Sequence, residues 1–283
     1  MVGVRLNEMP GARPAPVQQS YPSVVADRLR ISRAWGEGRY AVASDFHVPF
    51  HSAKALDQML AMKGTFDGCL IVGDLFDAYN LSRFRKEQKI PFENEVRDSR
   101  SIVLALKERF GRVLYNPGNH EDRMVKSAMD AMEGLTKIPG LADLASTALK
   151  SIQSWYGEQF PGITIHHGWF VQLGRVICAH ADSYSSLHGK TAENLLDHFL
   201  GRAREYSLKD ISCVTQSHTH RHSGPHLKRG IFLWELGSMC GPLDYQLGAR
   251  ANKGQTDTSW AEMVIKKDGS LDFNKSRSYY LDE

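Results

Sequence analysis

Residues 40–47 read YAVASDFH, an apolar run from Tyr40 to Ala43 that stops without a spacer at Ser44-Asp45. Four apolar residues bounded by polar ones have the length of a buried strand, and the abrupt stop marks a strand leaving its sheet for a polar loop. A helix is expected next: Ser52 is a suitable N-cap, and Leu56, Met59, Leu60 and Lys63 follow at helical spacing with the apolar members on one face. The unit then repeats. Cys69-Leu70-Ile71-Val72 runs into Gly73-Asp74. After a helical pattern carried by Val103, Leu106 and Phe110, the run from Val113 to Tyr115 ends in Pro117-Gly118-Asn119-His120. Three strands are thus expected to end in side chains that can bind a metal.

Further along the chain, Ile163 to Ile165, Phe170 to Leu173, Arg175 to Ala179, Ile211 to Thr215, Ile231 to Leu236 and Met263 to Lys266 read as short strands, with Thr191 to Arg204 as a helix among them. Alternating strands and helices followed by strand-rich sequence predict an α/β sandwich, two stacked sheets covered by helices. Residues 121–154, rich in Ala, Leu, Met and Lys, read as a helical insertion near the strand ends. Before residue 39, Pro10, Pro14, Pro16 and Pro22 punctuate a polar stretch in which a regular pattern begins only at about Val24. The expected organisation is therefore an N-terminal arm, 1–38, and one domain, 39–283.

At 283 residues and 42% hydrophobic content the chain can bury a substantial core as a single domain. A net charge of +3 is too small to announce a nucleic-acid binder and does not repel an anionic substrate. No apolar run approaches the roughly 20 residues of a membrane-spanning helix, and the first residues lack the order of a secretory signal, so a cytoplasmic, soluble protein is expected. Cys69, Cys178, Cys213 and Cys240 stand singly and read as reduced, mostly buried thiols. Nothing in the sequence calls for a homo-oligomer.

The side chains at strand ends form five groups: Asp45-Phe46-His47, Gly73-Asp74-Leu75-Phe76-Asp77, Gly118-Asn119-His120-Glu121, Ala179-His180 and Ser217-His218-Thr219-His220. Strand carboxyl ends converge on one edge of an α/β sheet, so residues distant in sequence can share a crevice. Positions two apart on an extended segment point the same way, which pairs Asp45 with His47 and His218 with His220 around a common centre. Imidazole nitrogen mixed with carboxylate and amide oxygen suits Mn, Fe, Zn or Co better than Ca or Mg. Two cations about 3.5 to 4 Å apart need a shared anionic ligand, for which Asp74 is the natural bridge.

In this order the five groups, spanning Tyr40 to His220, resemble those of the calcineurin-like metallophosphoesterase family. The resemblance implies two mixed β-sheets flanked by helices (αββα) and two divalent cations. Mn2+ is the first expectation, with Fe, Zn, Co and Ni as alternatives. It implies that Asp45, His47 and His220 join Asp74 around one metal, and Asn119, His180 and His218 join Asp74 around the other. A hydroxide held by the metals would then attack a phosphate ester in line with its leaving oxygen. His120 resembles the family histidine that assists the leaving group, with Asp77 fixing its tautomer. Ala179 and Ser217 depart from the family pattern, which commonly has glycine at both positions, and the local turns are expected to differ.

Each motif alone has a plainer reading. Gly-Asp-x-x-Asp can be a turn and a helix cap, and His218-Thr219-His220-Arg221-His222 a surface cluster; only jointly do they point to a metal site. Glu121 reads as a carboxylate at a helix start, and Cys69 and Cys178 as packing. Phe46, with Val48-Pro49-Phe50, reads as core or as a substrate wall. His222 and His226 read as structural or as lining the cleft. Arg83-Phe84-Arg85-Lys86 is either a solvated helix end or a phosphate-binding flank. The substrate expectation is a phosphate ester, with a phosphodiester of DNA or RNA placed first. The alternatives are a phosphomonoester of a protein or nucleotide and, more remotely, a non-catalytic metal-binding scaffold.

Overall fold

Alternation along the first strand decides what lies on either side of it. In β1 (Gly38–Ala43) Tyr40 and Val42 are buried in one apolar cluster and Ala41 and Ala43 in another. In β2 (Gly68–Val72) Leu70 and Val72 join the first of these clusters, and Cys69 and Ile71 the second. A strand with both faces apolar must be covered twice, so the sheet containing it is an inner layer. The computed structural model describes residues 21–81, 90–136, 143–182, 185–208, 210–241, 243 and 256–281. The segment Arg83-Phe84-Arg85-Lys86, the prolines before residue 21 and residues 137–142 of the expected insertion lie outside them.

The first sheet places β1 and β2 beside β3 (Val113–Asn116) and β4 (Thr164–Ile165), all parallel. It is extended antiparallel by β10 (Ser259–Ile265) and β11 (Arg277–Tyr280), giving the order β11-β10-β1-β2-β3-β4. The second sheet runs β5 (Phe170–Leu173), β6 (Val176–Ala179), β7 (Cys213–Gln216), β9 (Ile231–Leu236), β8 (His222–Lys228), with β6, β7 and β9 parallel. Between the sheets Tyr40, Val42, Leu70 and Val72 meet Leu173, Val176, Cys178 and Trp234. Outside the first sheet lie α2 (Ala53–Leu60), α3 (Phe92–Phe110) and α5 (Asp143–Gln159); outside the second lies α6 (Lys190–Gly201). The architecture is the αββα sandwich of two mixed sheets flanked by helices.

Ser52 caps α2, its side chain accepting from the Ala55 amide at 3.2 Å. The helix α1 (Tyr21–Ala34) falls within the stretch read as an arm. Its Ile31, with Trp35 just beyond it, is buried in the inter-sheet core, and Ser32 Oγ accepts from the Gly174 amide at 3.0 Å. Helix α4 (Asp122–Thr136) leaves the end of β3 and packs on α5. Phe46 and Val48 are fully buried in the core under α2 and α3, so the apolar surface beside Asp45 is core and not a substrate wall. Two strands escape the hydrophobic pattern. β8 is an edge strand, pairing only with β9, and its Gly224-Pro225 is tolerated there because an edge strand has unpaired amides. β11, an edge strand of the first sheet, reads Arg277-Ser278-Tyr279-Tyr280 and faces solvent in part. Among the described residues no helix is long and apolar enough to cross a membrane.

Candidate metal centre

The loops that leave β1, β2 and β3 in the first sheet and β6 and β7 in the second carry the seven expected ligands together with Asp77, His120 and Glu121. They are knitted by backbone bonds: the Asp45 amide donates to Gly73 O (3.2 Å), His47 to Asp74 O (3.0 Å), Gly73 to Asn116 O (2.8 Å) and Ser217 to Ala179 O (3.2 Å). The centre therefore straddles the seam where the carboxyl ends of both sheets meet.

Asp45 and Asp74, both buried, are arranged alike. Asp45 Oδ2 accepts from the His218 amide at 3.1 Å and Asp74 Oδ1 from the His120 amide at 2.9 Å, so each carboxylate is tethered by the backbone of another loop of the site. The remaining oxygens, Asp45 Oδ1 and Asp74 Oδ2, are buried and accept no hydrogen bond of ordinary geometry among the described residues. Imidazole nitrogens surround them. Asp45 Oδ1 lies 3.4 Å from His220 Nε2 and 3.9 Å from His47 Nε2; Asp74 Oδ2 lies 3.2 Å from His180 Nε2 and 3.7 Å from His47 Nε2. His47 Nε2 and His220 Nε2 are 2.9 Å apart, and Asn119 Oδ1 is 2.9 Å from His180 Nε2. His218 joins Asp74 and His180 in a group whose ligand atoms lie within 4.8 Å of one another. Two bare carboxylate oxygens ringed by nitrogen and amide donors fit divalent cations, because unpaired charge at such depth otherwise costs several kcal/mol.

The sequence reading expected strand alternation to pair these residues, and the structure overturns that expectation. Asp45 (φ 50°), His47 (φ 47°), Asp74 (φ 44°), His218 (φ 82°) and His220 (φ 56°) all lie in the left-handed region, so the Asp45–His47 and His218–His220 segments are turned, not extended. Aspartate and histidine tolerate this region better than most residues, at a cost of order 1–3 kcal/mol each. Ala179 and Ser217, where glycine was expected by family pattern, are not among the positive-φ residues.

The carboxylates and imidazoles of the site shift one another's pKa values. Burial opposes charge on His180, yet Asp74 and Asp45 raise its pKa to about 10. His220 is raised as well, against burial, with Cys240 and Asp45 as partners. Burial, helped by the neighbouring His120, lowers His47 to about 4, and burial with His180 lowers His218 to about 4. His120 is buried, but Asp74 and Asp77 outweigh that and raise its pKa. Asp77 Oδ1 lies 2.9 Å from His47 Nδ1 and 3.1 Å from His120 Nδ1, tying both rings to one carboxylate. The far nitrogen, His120 Nε2, is 3.8 Å from Asp74 Oδ2 and 2.7 Å from a guanidinium nitrogen of Arg123.

Glu121 does something other than open a helix. It is buried, and its two oxygens accept from the amides of Asp74 (3.1 Å), Leu75 (2.7 Å), Phe76 (3.2 Å) and Gly118 (2.7 Å), clamping the β2 loop to the β3 loop. Glu95 and Glu235 repeat the device, on the Tyr79 amide (3.1 Å) and on the amides of Gly189, Thr191 and Ala192. Glu121→Gln puts an amide donor among four donors. We expect divalent-cation affinity to fall about 10- to 100-fold with the fold retained, the usual scale for groups that orient ligands. Titration against a chelating dye checks this, and an unchanged affinity would remove the clamp from the centre's design.

Close approach explains two glycines: a Cβ on Gly73 would enter the His180 ring, and one on Gly118 would collide with Asp74. Other contributors carried no sequence signal. Ser217 Oγ, 2.7 Å from Val72 O and 2.8 Å from His180 Nδ1, fixes that ring so that Nε2 faces Asp74. Cys240 Sγ is 3.9 Å from His220 Nδ1, and the Asp257 amide donates to His220 O at 2.8 Å. His222 turns away, with Nε2 2.6 Å from Ser278 Oγ and Nδ1 2.5 Å from Tyr280 OH. Cys69 and Cys178 are fully buried with raised thiol pKa values, which suits packing.

The calcineurin-like phosphoesterase family matches the chain over residues 38–232. No curated protein matches it. Among solved structures, a protein serine/threonine phosphatase from Saccharomyces cerevisiae is 13% identical with a TM-score of 0.40, covering 94% of this chain and 91% of that one. Vps29 from Chaetomium thermophilum is 10% identical with a TM-score of 0.39, covering 86% and 99%. A protein of Streptococcus pneumoniae TIGR4, described as a predicted phosphoesterase, is 14% identical with a TM-score of 0.35, covering 87% and 98%. The family match takes in more than half of the chain and every strand end described above, and the chain belongs to the calcineurin-like phosphoesterases, metal-dependent hydrolases of phosphate esters.

Proposed function

We propose that Asp45, His47 and His220 with Asp74 hold one divalent cation, and Asn119, His180 and His218 with Asp74 a second, and that His120 protonates the leaving group. The observation behind this is the pair of buried, undonated oxygens, Asp45 Oδ1 and Asp74 Oδ2, among imidazole nitrogens. When bound, the cations supply Lewis acidity and an activated water. The chain's own residues do the rest. Asp74 would be shared by both positions, and its Oδ1 accepts from the His120 amide, which registers the acid to the centre. Asp77, through Oδ1, holds the Nδ1 edges of His47 and His120 and leaves both Nε2 atoms facing inward. The hydrolytic unit is proposed to be residues 39–283, with 1–38 an arm docked through α1 and 121–154 a helical insertion beside the site.

The sequence reading puts a phosphodiester of DNA or RNA first, with Mn2+ as the metal and a phosphomonoester as the alternative. Mn2+ is the first ion to load because this N/O donor set suits Mn, Fe, Zn, Co and Ni alike. The test is cleavage of end-labelled single- and double-stranded DNA and of RNA by the Mn2+-loaded chain, beside p-nitrophenyl phosphate and its bis ester. Asp74→Ala serves as the contamination control. Loss of nucleic acid in wild type alone supports a nuclease. Hydrolysis confined to the monoester moves the assignment to a phosphatase. Inertness toward every ester sinks the catalytic reading.

A further inference from the structure

Arg123, in the first turn of α4, has no role in the centre as described so far. It is half-buried beside the site: one guanidinium nitrogen donates to Asp77 O at 2.8 Å, and the other lies 2.7 Å from His120 Nε2. The same Asp77 carbonyl lies 2.8 Å from His120 Nδ1, so the guanidinium and the imidazole share one acceptor and lie side by side. Guanidinium donates only. While Arg123 covers His120 Nε2, that nitrogen is screened from a leaving oxygen. Something must draw Arg123 away, and the partner that a planar, permanently charged fork prefers is a phosphoryl group.

We propose that Arg123 is the phosphoryl-binding residue of this centre and that it selects a terminal phosphate over a diester. The inference rests on the hydrolytic reading above. Two arguments carry the selectivity. A terminal phosphate has three non-bridging oxygens, and a two-cation centre satisfies two of them, leaving one for a fork donor; a diester has only two. Charge points the same way. Two divalent cations bring four positive charges, against one negative charge each from Asp45, Asp74 and an anionic nucleophile, which leaves one positive charge over. A diester's single negative charge closes that sum. A terminal phosphate carries nearly two at neutral pH and overshoots by about one, the charge a guanidinium brings. Moving Arg123 onto the phosphate also uncovers His120 Nε2, so binding of the correct group and readiness of the acid become one event.

The test uses the full metal-loaded chain and its Arg123→Ala and Arg123→Lys variants, with p-nitrophenyl phosphate, bis-p-nitrophenyl phosphate and inorganic phosphate. In Arg123→Ala, metal content stays at the wild-type level and KM for the monoester and the inhibition constant for phosphate rise together by about 10- to 100-fold, the worth of a charge-assisted pair. The loss in kcat/KM is at least about tenfold larger for the monoester than for the diester. Lysine restores part of the phosphate affinity, since it keeps the charge and loses the fork. Unchanged phosphate inhibition in Arg123→Ala, equal losses on both esters, or loss of metal would each overturn the proposal. If wild type hydrolyses neither ester, the hydrolytic reading fails by itself. Calorimetric binding of inorganic phosphate to wild type and Arg123→Ala then still decides whether Arg123 holds a phosphoryl group.

Discussion

Asp74→Ala is expected to leave a folded chain that binds less than its full complement of metal and hydrolyses no phosphate ester above background. Asp74 Oδ2 stands 3.2 Å from His180 Nε2 on one side and 3.7 Å from His47 Nε2 on the other, so a single atom serves both halves of the proposed ligand set. Its loss removes the one anion both cations can share and leaves their mutual repulsion unrelieved. It also frees the His120 amide, held at 2.9 Å by the other carboxylate oxygen, so the acid loses its registration too. Lewis acidity contributes several kcal/mol, and each 1.4 kcal/mol is a factor of ten, so turnover should fall by about four powers of ten or more. Asp74→Asn separates the two losses, since its amide oxygen can still accept from His120 while the charge is gone. Elemental analysis alongside turnover is the measurement. Two equivalents of metal retained in Asp74→Ala would mean that the bridge is elsewhere.

What could be read from the sequence follows from what strands and loops do to residues. Tyr40-Ala41-Val42-Ala43 and Cys69-Leu70-Ile71-Val72 are apolar on both faces because each side of the sheet is covered, and the polar residues that stop them must lie at the sheet's edge. The motif positions therefore announced themselves. The contacts that orient them did not. Glu121 occupies the same place in sequence whether it merely opens α4 or clamps four amides, and only the Gly73–Phe76 loop lying across it decides. Ser217, Cys240 and Asp257 act through neighbours far away in the chain, which no local period encodes. The expected extended pairing of Asp45 with His47 failed for a related reason. Left-handed φ values are held by tertiary bonds such as His47 N to Asp74 O, and the tolerance of aspartate and histidine for that region is too weak a signal to announce them. β8 and β11 lack an alternating apolar face because edge strands need less of one.

His120→Ala should slow turnover by about 10²- to 10⁴-fold while both metals stay bound, the range expected when a positioned general acid is removed. The size of the loss should depend on the leaving group. p-Nitrophenolate departs with little need of a proton, so the chromogenic esters fall at the low end, and an alkyl phosphate, whose alkoxide must be protonated, at the high end. That dependence distinguishes an acid from a residue that only shapes the pocket, which would slow all esters alike. Asp77→Asn is the weaker experiment, because Asp77 Oδ1 also steadies His47 and the change disturbs the centre and the acid together. The serious rival is ligation: His120, His47 and Asp74 offer atoms within 4.8 Å of one another, a grouping that could hold a cation by itself. Asp77 at Nδ1 does not decide it, because His47, a proposed ligand, is held by the same carboxylate; Arg123 at Nε2 argues against it, since a guanidinium is a poor neighbour for a nitrogen that must face a cation. Metal content of the variant settles the choice: two equivalents keep His120 as the acid, and a site emptied by the substitution makes it a ligand.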